Sequence, residues 1–208
     1  YLVARPNRNT SLDEPSATVV VPCRNEAGNI EPAVTRLPRF AKDMEIIFVE
    51  GGSQDGTYEE AERVRDKYAD YDIKVMKQPG KGKADAVWHA FEAARGDILM
   101  ILDADLTVPP ETLPKFYRAI QNGKGEFING SRLIYPLEDQ SMRFLNMIAN
   151  RFFAIVFSWL LNQRFTDTLC GTKVLRRTDY QRIARGRSYF GDFDPFGDFD
   201  LIFGAAKL

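Results

Sequence analysis

The chain has 208 residues, of which 44% are hydrophobic and 27% are charged, and its formal net charge is −1. These values are typical of a globular protein with one large domain or two small ones, and the near-zero charge gives no electrostatic case for a nucleic-acid partner. Two cysteines and one histidine argue against a disulfide framework and a zinc site, and they favour a reducing, cytoplasmic compartment.

Strands and helices alternate along the first 130 residues. The predicted strands are short apolar or β-branched runs, namely Thr18–Val21, Ile46–Val49, Ile73–Met76, Ile98–Leu102 and Phe127–Asn129. The predicted helices are amphipathic or capped segments, namely Ile30–Phe40, Thr57–Tyr71, Lys83–Arg95 and Pro110–Asn122. This order predicts an α/β fold, a three-layer α/β/α sandwich with a mostly parallel central sheet over residues 17–208. Residues 1–16 predict a linker or tail.

The pattern changes after residue 131 to a long helical segment, a loop and a further strand at Thr172–Leu175. The longest apolar region, Phe144–Leu161, is interrupted by polar residues, and its uncharged part is too short to span a bilayer. It predicts either a core helix or an interfacial helix. The chain ends inside a predicted helix, which is consistent with a domain truncated at its C-terminus.

The fourth predicted strand carries the strongest sign of chemistry. Its five apolar residues run directly into Asp103-Ala104-Asp105. Ligands of open α/β sheets collect at the carboxyl ends of strands, and two carboxylates there suit Mg²⁺ or Mn²⁺ holding a diphosphate. A solvated turn is the alternative, because aspartate is common in turns.

Polar residues also follow the first strand, in the segment Pro22-Cys23-Arg24-Asn25-Glu26. Asn25 and Glu26 could hydrogen-bond a nucleobase or a ribose. The alternative is a helix N-cap provided by Asn25 or Asn29.

The second strand is followed by Glu50-Gly51-Gly52-Ser53-Gln54-Asp55-Gly56-Thr57. The glycines permit a close approach of the backbone, and Glu50 or Asp55 could bind polar groups of a ribose or base. The sequence from Asp55 to Thr57 is also a good turn and helix cap.

The third strand is followed by Gly80-Lys81-Gly82-Lys83, which enters a helix. Glycines, two lysines and a helix N-terminus together favour a phosphate, although the spacing is not that of a Walker P-loop. Base, ribose, phosphate and metal functions at successive strand ends predict a site for a nucleoside diphosphate.

These four ordered segments resemble a family 2 glycosyltransferase of the GT-A fold, over about residues 17–208. Within that family the chain is most similar to the dolichyl-phosphate mannose synthases and related polyprenyl-phosphate glycosyltransferases. That narrower resemblance is carried by Gly130-Ser131-Arg132, by Asp167-Thr168-Leu169-Cys170-Gly171-Thr172-Lys173 and by Asp198-Phe199-Asp200.

Two positions depart from the family pattern. Glu50 stands where the second motif usually opens with aspartate, and Thr107 stands where mannosyl-phosphate synthases often have a glutamine that contacts the metal. The first change alters the nucleotide contact, and the second leaves metal ligation to the aspartate pair.

The resemblance implies inverting, metal-dependent transfer from a GDP- or UDP-linked sugar, with Asp105 as a direct metal ligand and Asp103 as its partner. Lys81 and Lys83 would stabilise the leaving diphosphate. The implied nucleotide-binding residues follow the four strands and are Pro22, Arg24, Asn25, Glu26, Glu50, Gly52, Ser53, Asp55, Lys81, Gly82, Lys83, Asp103 and Ala104.

The implied acceptor is a polyprenyl or dolichyl phosphate, which is already ionised at neutral pH and needs cations to position it. Ser131, Arg132 and Arg143 are the candidate acceptor-phosphate residues, with Arg132 also a candidate catalytic residue, because the guanidinium fork suits phosphate oxygens. The alternative is that the arginines are ordinary surface residues. Asp200 is implied to lie beside the donor sugar as a further catalytic residue. A lipid acceptor predicts peripheral contact with the cytoplasmic face of a membrane.

Two other functions remain open from the sequence. One is a family 2 transferase that glycosylates a sugar hydroxyl, for which Asp198 or Asp200 would serve as general base. The other is a nucleotide-binding domain without transferase activity, which the presence of both Asp103 and Asp105 disfavours.

Overall fold

The structure is a computed structural model, and it describes residues 14–130, 155–156, 158–159, 170–186, 201–202 and 204–205. Six strands form one sheet in the order β3-β2-β1-β4-β6-β5. The strands are β1 Ala17–Cys23, β2 Met44–Glu50, β3 Asp72–Lys77, β4 Ile98–Ile101, β5 Phe127–Asn129 and β6 Lys173–Arg176. The helices are α1 Ala27–Thr35, α2 Thr57–Lys67, α3 Lys83–Ala93, α4 Leu113–Gln121 and α5 Arg177–Arg185, and a 3₁₀ turn at Pro110–Thr112 precedes α4.

Strands β3, β2, β1 and β4 are parallel, so their carboxyl ends meet at one edge of the sheet. Strand β6 pairs antiparallel with both β4 and β5. The beginning of β6 and the end of β5 therefore lie at that same edge. We call this edge, from Lys77 of β3 to Asn129 of β5, the site edge.

The sheet is buried on both faces, as the predicted three-layer sandwich requires. Helices α1, α2 and α4 pack on one face, where Val19, Phe48 and Met100 are fully buried. Helices α3 and α5 pack on the other face, against Val20 and Leu99. Because both faces are covered there, the central strands β1, β2 and β4 contain continuous apolar runs rather than an alternating pattern.

The main differences from the sequence prediction lie at helix ends. Helix α1 ends at Thr35 instead of continuing to residue 40, because Pro38 disfavours a helical conformation at Leu37. Helix α2 ends at Lys67, and Tyr68 leaves the helical conformation with φ −108° and ψ 55°. The strand predicted at 172–175 is shifted by one residue.

No helix in the described part of the chain is both long enough and apolar enough to cross a membrane. Two residues of the apolar region predicted as a core or interfacial helix are large and exposed. They are Ile155, at 68%, and Trp159, at 82%. They lie four residues apart in a helical segment and so share a face.

Candidate functional site

The loops that follow β1 and β2 are tied together by hydrogen bonds at the site edge. The backbone N–H of Asn25 donates to Ser53 Oγ at 2.9 Å, and the N–H of Gln54 donates to Asn25 Oδ1 at 2.9 Å. The N–H of Glu26 donates to Thr57 Oγ1 at 2.9 Å. Asn25 therefore bridges two loops, and the alternative that it caps α1 is wrong, since the N-cap residue of α1 is Glu26.

Asp55 provides the cap for α1 from the neighbouring loop. Its Oδ2 accepts from the N–H of Ala27 at 3.1 Å, and its Oδ1 accepts from the N–H of Thr57 at 3.0 Å. Hydrogen bonding, above all from the Thr57 hydroxyl, holds the pKa of Asp55 below its usual value. The structure thus gives Asp55 a loop-fixing role, and its contact with a nucleotide stays a prediction.

Glu50 ends β2 as a buried carboxylate, 6% exposed. Its Oε1 accepts a short hydrogen bond from the N–H of Ser53. Gly52, between them, has φ +76°, a conformation that favours glycine. The glutamate that replaces the usual aspartate thus reaches back to its own loop and fixes the turn.

Cys23 is buried beside this acidic cluster. Burial, followed by the charges of Glu50, Glu26 and Asp55, raises the pKa of the Cys23 thiol to about 12. A protonated thiol is a poor nucleophile, so the site offers no cysteine chemistry at this position.

The glycine-lysine segment meets the aspartate pair at the next strand ends. Lys83, the first residue of α3, places its Nζ 2.5 Å from Asp103 Oδ1. Gly82 precedes it with φ +86°, which glycine adopts without strain. Lys81 is exposed. The lysine predicted to bind phosphate and the aspartate predicted to bind the metal are therefore in direct contact.

Asp105 is exposed, and its orientation is set by the turn that follows it. The N–H of Thr107 donates to Asp105 Oδ1 at 3.0 Å. Leu106, between them, has φ +53°, so the turn uses a left-handed residue to bring the chain back to the carboxylate. Thr107 stands where the family pattern often has a glutamine, and here its backbone N–H contacts the carboxylate of Asp105. Ala104 is buried between the two aspartates.

The turn before β6 packs directly on the lysine–aspartate pair. A Cβ added to Gly171 would lie 2.1 Å from Asp103 Oδ2 and 2.2 Å from Lys83 Nζ. Lys173 is fully buried in β6, and its Nζ donates to the carbonyl of Cys170 at 2.7 Å. The family resemblance singled out this segment, but nothing in the sequence pattern indicates that its glycine touches the predicted metal site.

A cavity of about 240 Å³ opens at the site edge between the first three strand ends. Pro22, Arg24, Gly82 and Lys83 line it, as does Gln78, whose Nε2 donates to the carbonyl of Gly82 at 2.8 Å. Gln78 was not among the predicted site residues, although its place directly after β3 is a signal that could have found it.

The donor atoms at this edge fit a hard divalent cation in part. Asp103 and Asp105 supply carboxylate oxygens, the ligands that Mg²⁺ and Mn²⁺ prefer. Among the described residues no cluster of three or more histidine, cysteine, aspartate or glutamate side chains could hold a metal. The pair would therefore leave coordination positions for diphosphate oxygens and water, as Mg²⁺ sites that bind phosphates commonly do.

Five candidate site residues lie outside the described residues. They are Ser131, Arg132, Arg143, Asp198 and Asp200. Gly130, which precedes the first two, is at the site edge, and its N–H donates to the carbonyl of Thr172 at 2.8 Å.

Comparison with known proteins identifies the family. Residues 18–185 match the sequence model of "Glycosyl transferase family 2". Dolichol-phosphate mannosyltransferase of Saccharomyces cerevisiae is 37% identical over 111 residues, which are 50% of this chain and 41% of the yeast protein. The protein of the same name from Pyrococcus furiosus is 37% identical over 120 residues, 56% of this chain and 33% of its own. An undecaprenyl-phosphate 4-deoxy-4-formamido-L-arabinose transferase of Aeromonas hydrophila is 32% identical over 113 residues, 51% of this chain and 34% of its own.

The fold is that of solved glycosyltransferases. Glucosyl-3-phosphoglycerate synthase of Mycobacterium tuberculosis, in complex with Mn²⁺, UDP and glucosyl-3-phosphoglycerate, aligns with a TM-score of 0.63 at 18% identity, over 83% of this chain and 60% of that one. Mannosyltransferase PcManGT of Pyrobaculum calidifontis, in complex with GDP-Man and Mn²⁺, aligns with a TM-score of 0.57 at 22% identity, over 83% and 48%. These likenesses confirm the predicted GT-A fold. The chain spans less than half the length of the three curated relatives.

Proposed function

Because the chain belongs to glycosyl transferase family 2, we propose that it transfers a sugar from a GDP- or UDP-linked donor to a polyprenyl or dolichyl phosphate. The observation that carries this proposal is the contact between Lys83 and Asp103, 2.5 Å apart at the site edge. It supports the proposal because the cation proposed to bind phosphate and the carboxylate proposed to bind the metal are in contact, as a nucleoside-diphosphate leaving group requires.

The chain's own residues would hold the donor at three successive strand ends. Arg24 and Gly51 line the cavity where a base and ribose would bind, and they are the chain neighbours of Asn25 and Glu50. Lys81 and Lys83, at the N-terminus of α3, would take the diphosphate, since backbone N–H groups and the helix dipole there favour an anion.

Asp103 and Asp105 would hold a divalent cation, Mg²⁺ or Mn²⁺. When bound, that cation supplies Lewis-acid stabilisation of the charge that develops on the leaving diphosphate. The hydrogen bond from the N–H of Thr107 orients Asp105 for this role. Two structures that share the fold contain Mn²⁺, which supports the assignment of the cofactor class.

The lipid acceptor is supported by the relatives and by one surface. All three curated relatives are named as transferases of dolichol phosphate or undecaprenyl phosphate. Ile155 and Trp159, exposed on one helical face, suit the interface of a membrane that carries such a lipid. A lipid phosphate needs no general base, and Ser131, Arg132 and Arg143 remain the proposed residues that position it, with Asp200 proposed beside the sugar.

The test is a transfer assay with separated products. The protein is incubated with radiolabelled GDP-mannose or UDP-glucose, Mn²⁺ and a short polyprenyl phosphate, and the lipid phase is then extracted. We expect label in the lipid phase, dependent on the metal and abolished by EDTA.

One control reaction and two alternative outcomes separate the competing functions. The same reaction with an unphosphorylated polyprenol should give no lipid-phase product, because the proposed acceptor group is the phosphate. Label that appears only on soluble glycans would replace the lipid acceptor with a sugar hydroxyl. Nucleotide binding without turnover on either acceptor would favour a non-catalytic domain.

A further inference from the structure

The ion pair between Lys83 and Asp103 is partly buried. The side chains are 31% and 18% exposed, and Gly171 lies against both charged groups. Charges in such a place are screened less than charges on an open surface, so they influence each other and any incoming ion strongly.

The stability of α3 does not explain why a lysine stands at this position. A cation at a helix N-terminus opposes the helix dipole. The first turn of α3 already contains Asp85, whose Oδ2 accepts from the N–H of Gly80 at 2.8 Å. Lys83 is thus placed where an anionic ligand or an acidic partner must compensate it, and in this structure Asp103 is such a partner.

We propose that Lys83 is a resident counter-ion of Asp103 that makes binding of the divalent cation and of the nucleoside diphosphate depend on each other. This proposal deepens the proposed function and rests on it, because it takes Asp103 as a metal ligand and the diphosphate as the partner of Lys83. Without nucleotide, the ammonium of Lys83 occupies a carboxylate oxygen of Asp103 and repels a second cation. A diphosphate draws the ammonium to its own oxygens and frees Asp103 for the metal.

The consequence is one coupling free energy that is the same in either order of binding. Mn²⁺ binds weakly to the protein alone, and the nucleoside diphosphate binds weakly in EDTA. Together they bind much more tightly than the solution affinity of the metal for the diphosphate accounts for. Lys83 is therefore a positioning residue as well as a phosphate ligand.

The experiment measures Mn²⁺ binding to nucleotide-free protein through the electron paramagnetic resonance signal of free Mn²⁺. Lys83→Met removes the counter-ion and is expected to lower the Kd for Mn²⁺ about tenfold, because a charge a few ångströms from the metal is removed. In the same variant, the extra affinity that GDP or UDP gives to Mn²⁺ should shrink by a similar factor.

Lys81→Met is the matched control. It makes the same change in net charge two residues away, on an exposed side chain, and leaves the pair intact. It is expected to weaken nucleotide binding but to change the nucleotide-free Kd for Mn²⁺ less than twofold. Equal tightening by both variants would reduce the effect to general electrostatics and overturn the proposal. Unchanged or weaker Mn²⁺ binding by Lys83→Met would overturn it as well.

Asp103→Asn tests the pair from its other side and keeps the proposal testable if Lys83→Met does not fold. Releasing Lys83 should tighten the binding of GDP or UDP in EDTA about threefold, and unchanged or weaker binding would count against the proposal. All these measurements omit sugar and acceptor. The coupling can therefore fail while transfer to lipid persists, whereas wild-type protein that binds neither Mn²⁺ nor nucleotide would overturn both proposals.

Discussion

Asp105 is the residue on which the proposed chemistry depends most directly. Its carboxylate is exposed at the site edge and oriented by the N–H of Thr107, whereas the carboxylate of Asp103 is engaged by Lys83. In the proposed mechanism the two aspartates of one short motif have different roles: Asp103 would respond to the presence of a diphosphate, and Asp105 would offer an oxygen to the metal with or without it.

We expect Asp105→Ala to lower kcat for sugar transfer at least about 100-fold, because a site that stabilises developing charge loses one of its two carboxylate ligands. Steady-state transfer to the lipid phase measures the effect. Asp66→Ala, on the exposed surface of α2, removes the same charge from a side chain that is 71% exposed and should leave kcat unchanged. Full activity in Asp105→Ala would remove the metal role from this residue.

Cys23 offers a prediction on stability and pH. Its pKa of about 12 in the folded chain lies above the ordinary value of 9.0, so unfolding releases a proton between those two pH values. Stability from this group is complete below pH 9 and falls as pH rises, by about 1.4 kcal/mol per pH unit.

The free energy of unfolding of Cys23→Ala should therefore approach that of the wild type as pH rises from 9 to 11. Urea unfolding of both proteins at matched pH values isolates this group, because other titrating residues contribute equally to both. A difference between the two that does not change with pH would show that the thiol ionises as easily in the folded chain as in the unfolded one.

At the scale of elements, the sequence predicted the positions of the strands well. Apolar runs such as Ile98–Leu102 report burial of a strand directly, and the polar residues after each run mark where a strand leaves the core. What periodicity cannot report is pairing between distant segments. The place of β6 between β4 and β5 depends on such pairing, and so does the contact of Gly171 with Asp103.

The interlocked loops show the same limit on sequence reasoning. Asp55-Gly56-Thr57 is a good local turn, and the structure uses it as one, because Asp55 accepts from the N–H of Thr57. The same carboxylate also caps α1, a helix that begins 28 residues earlier. Only the parallel pairing of β1 with β2 brings that helix end within reach.

Gly96, between α3 and β4, lies close to the backbone of β1, and this close approach gives a prediction on stability. A Cβ at this position would lie 2.5 Å from the backbone nitrogen of Thr18 and 2.6 Å from the carbonyl carbon of Ala17, neither of which can yield easily. Gly96→Ala should lower the free energy of unfolding by about 1–3 kcal/mol, as overpacking does elsewhere. Urea unfolding measures the change.

Gly28→Ala is the matched control for that experiment. Gly28 lies in α1 with nothing within 4 Å of an added Cβ, so alanine should stabilise the protein by up to about 1 kcal/mol through its higher helix propensity. Opposite signs for the two substitutions are the expected result. Equal effects would mean that the contact at Gly96 relaxes without cost.

At the scale of the whole molecule, the two ends of the parallel strands are built for different tasks. A larger cavity, of about 440 Å³, lies at the amino ends, with Glu45 and Arg95 in its lining. Part of its charge is paired, because Glu45 accepts from Arg95 Nε at 3.1 Å and from the Thr18 hydroxyl at 2.8 Å. Volume alone would favour this cavity as a binding site. The pairing of Glu45 with Arg95 indicates instead that these charges stabilise the fold.

This polarity can be tested by hydrogen exchange followed by mass spectrometry. Mn²⁺ with GDP or UDP should slow amide exchange at the site edge, in residues 50–57, 78–83, 103–107 and 170–172, because ligand binding suppresses local opening there. Residues 39–45, 70–72 and 95–96, at the amino ends, should exchange at the same rate with and without ligand. Protection confined to the amino ends would move the nucleotide to the larger cavity and overturn the assignment of the site edge.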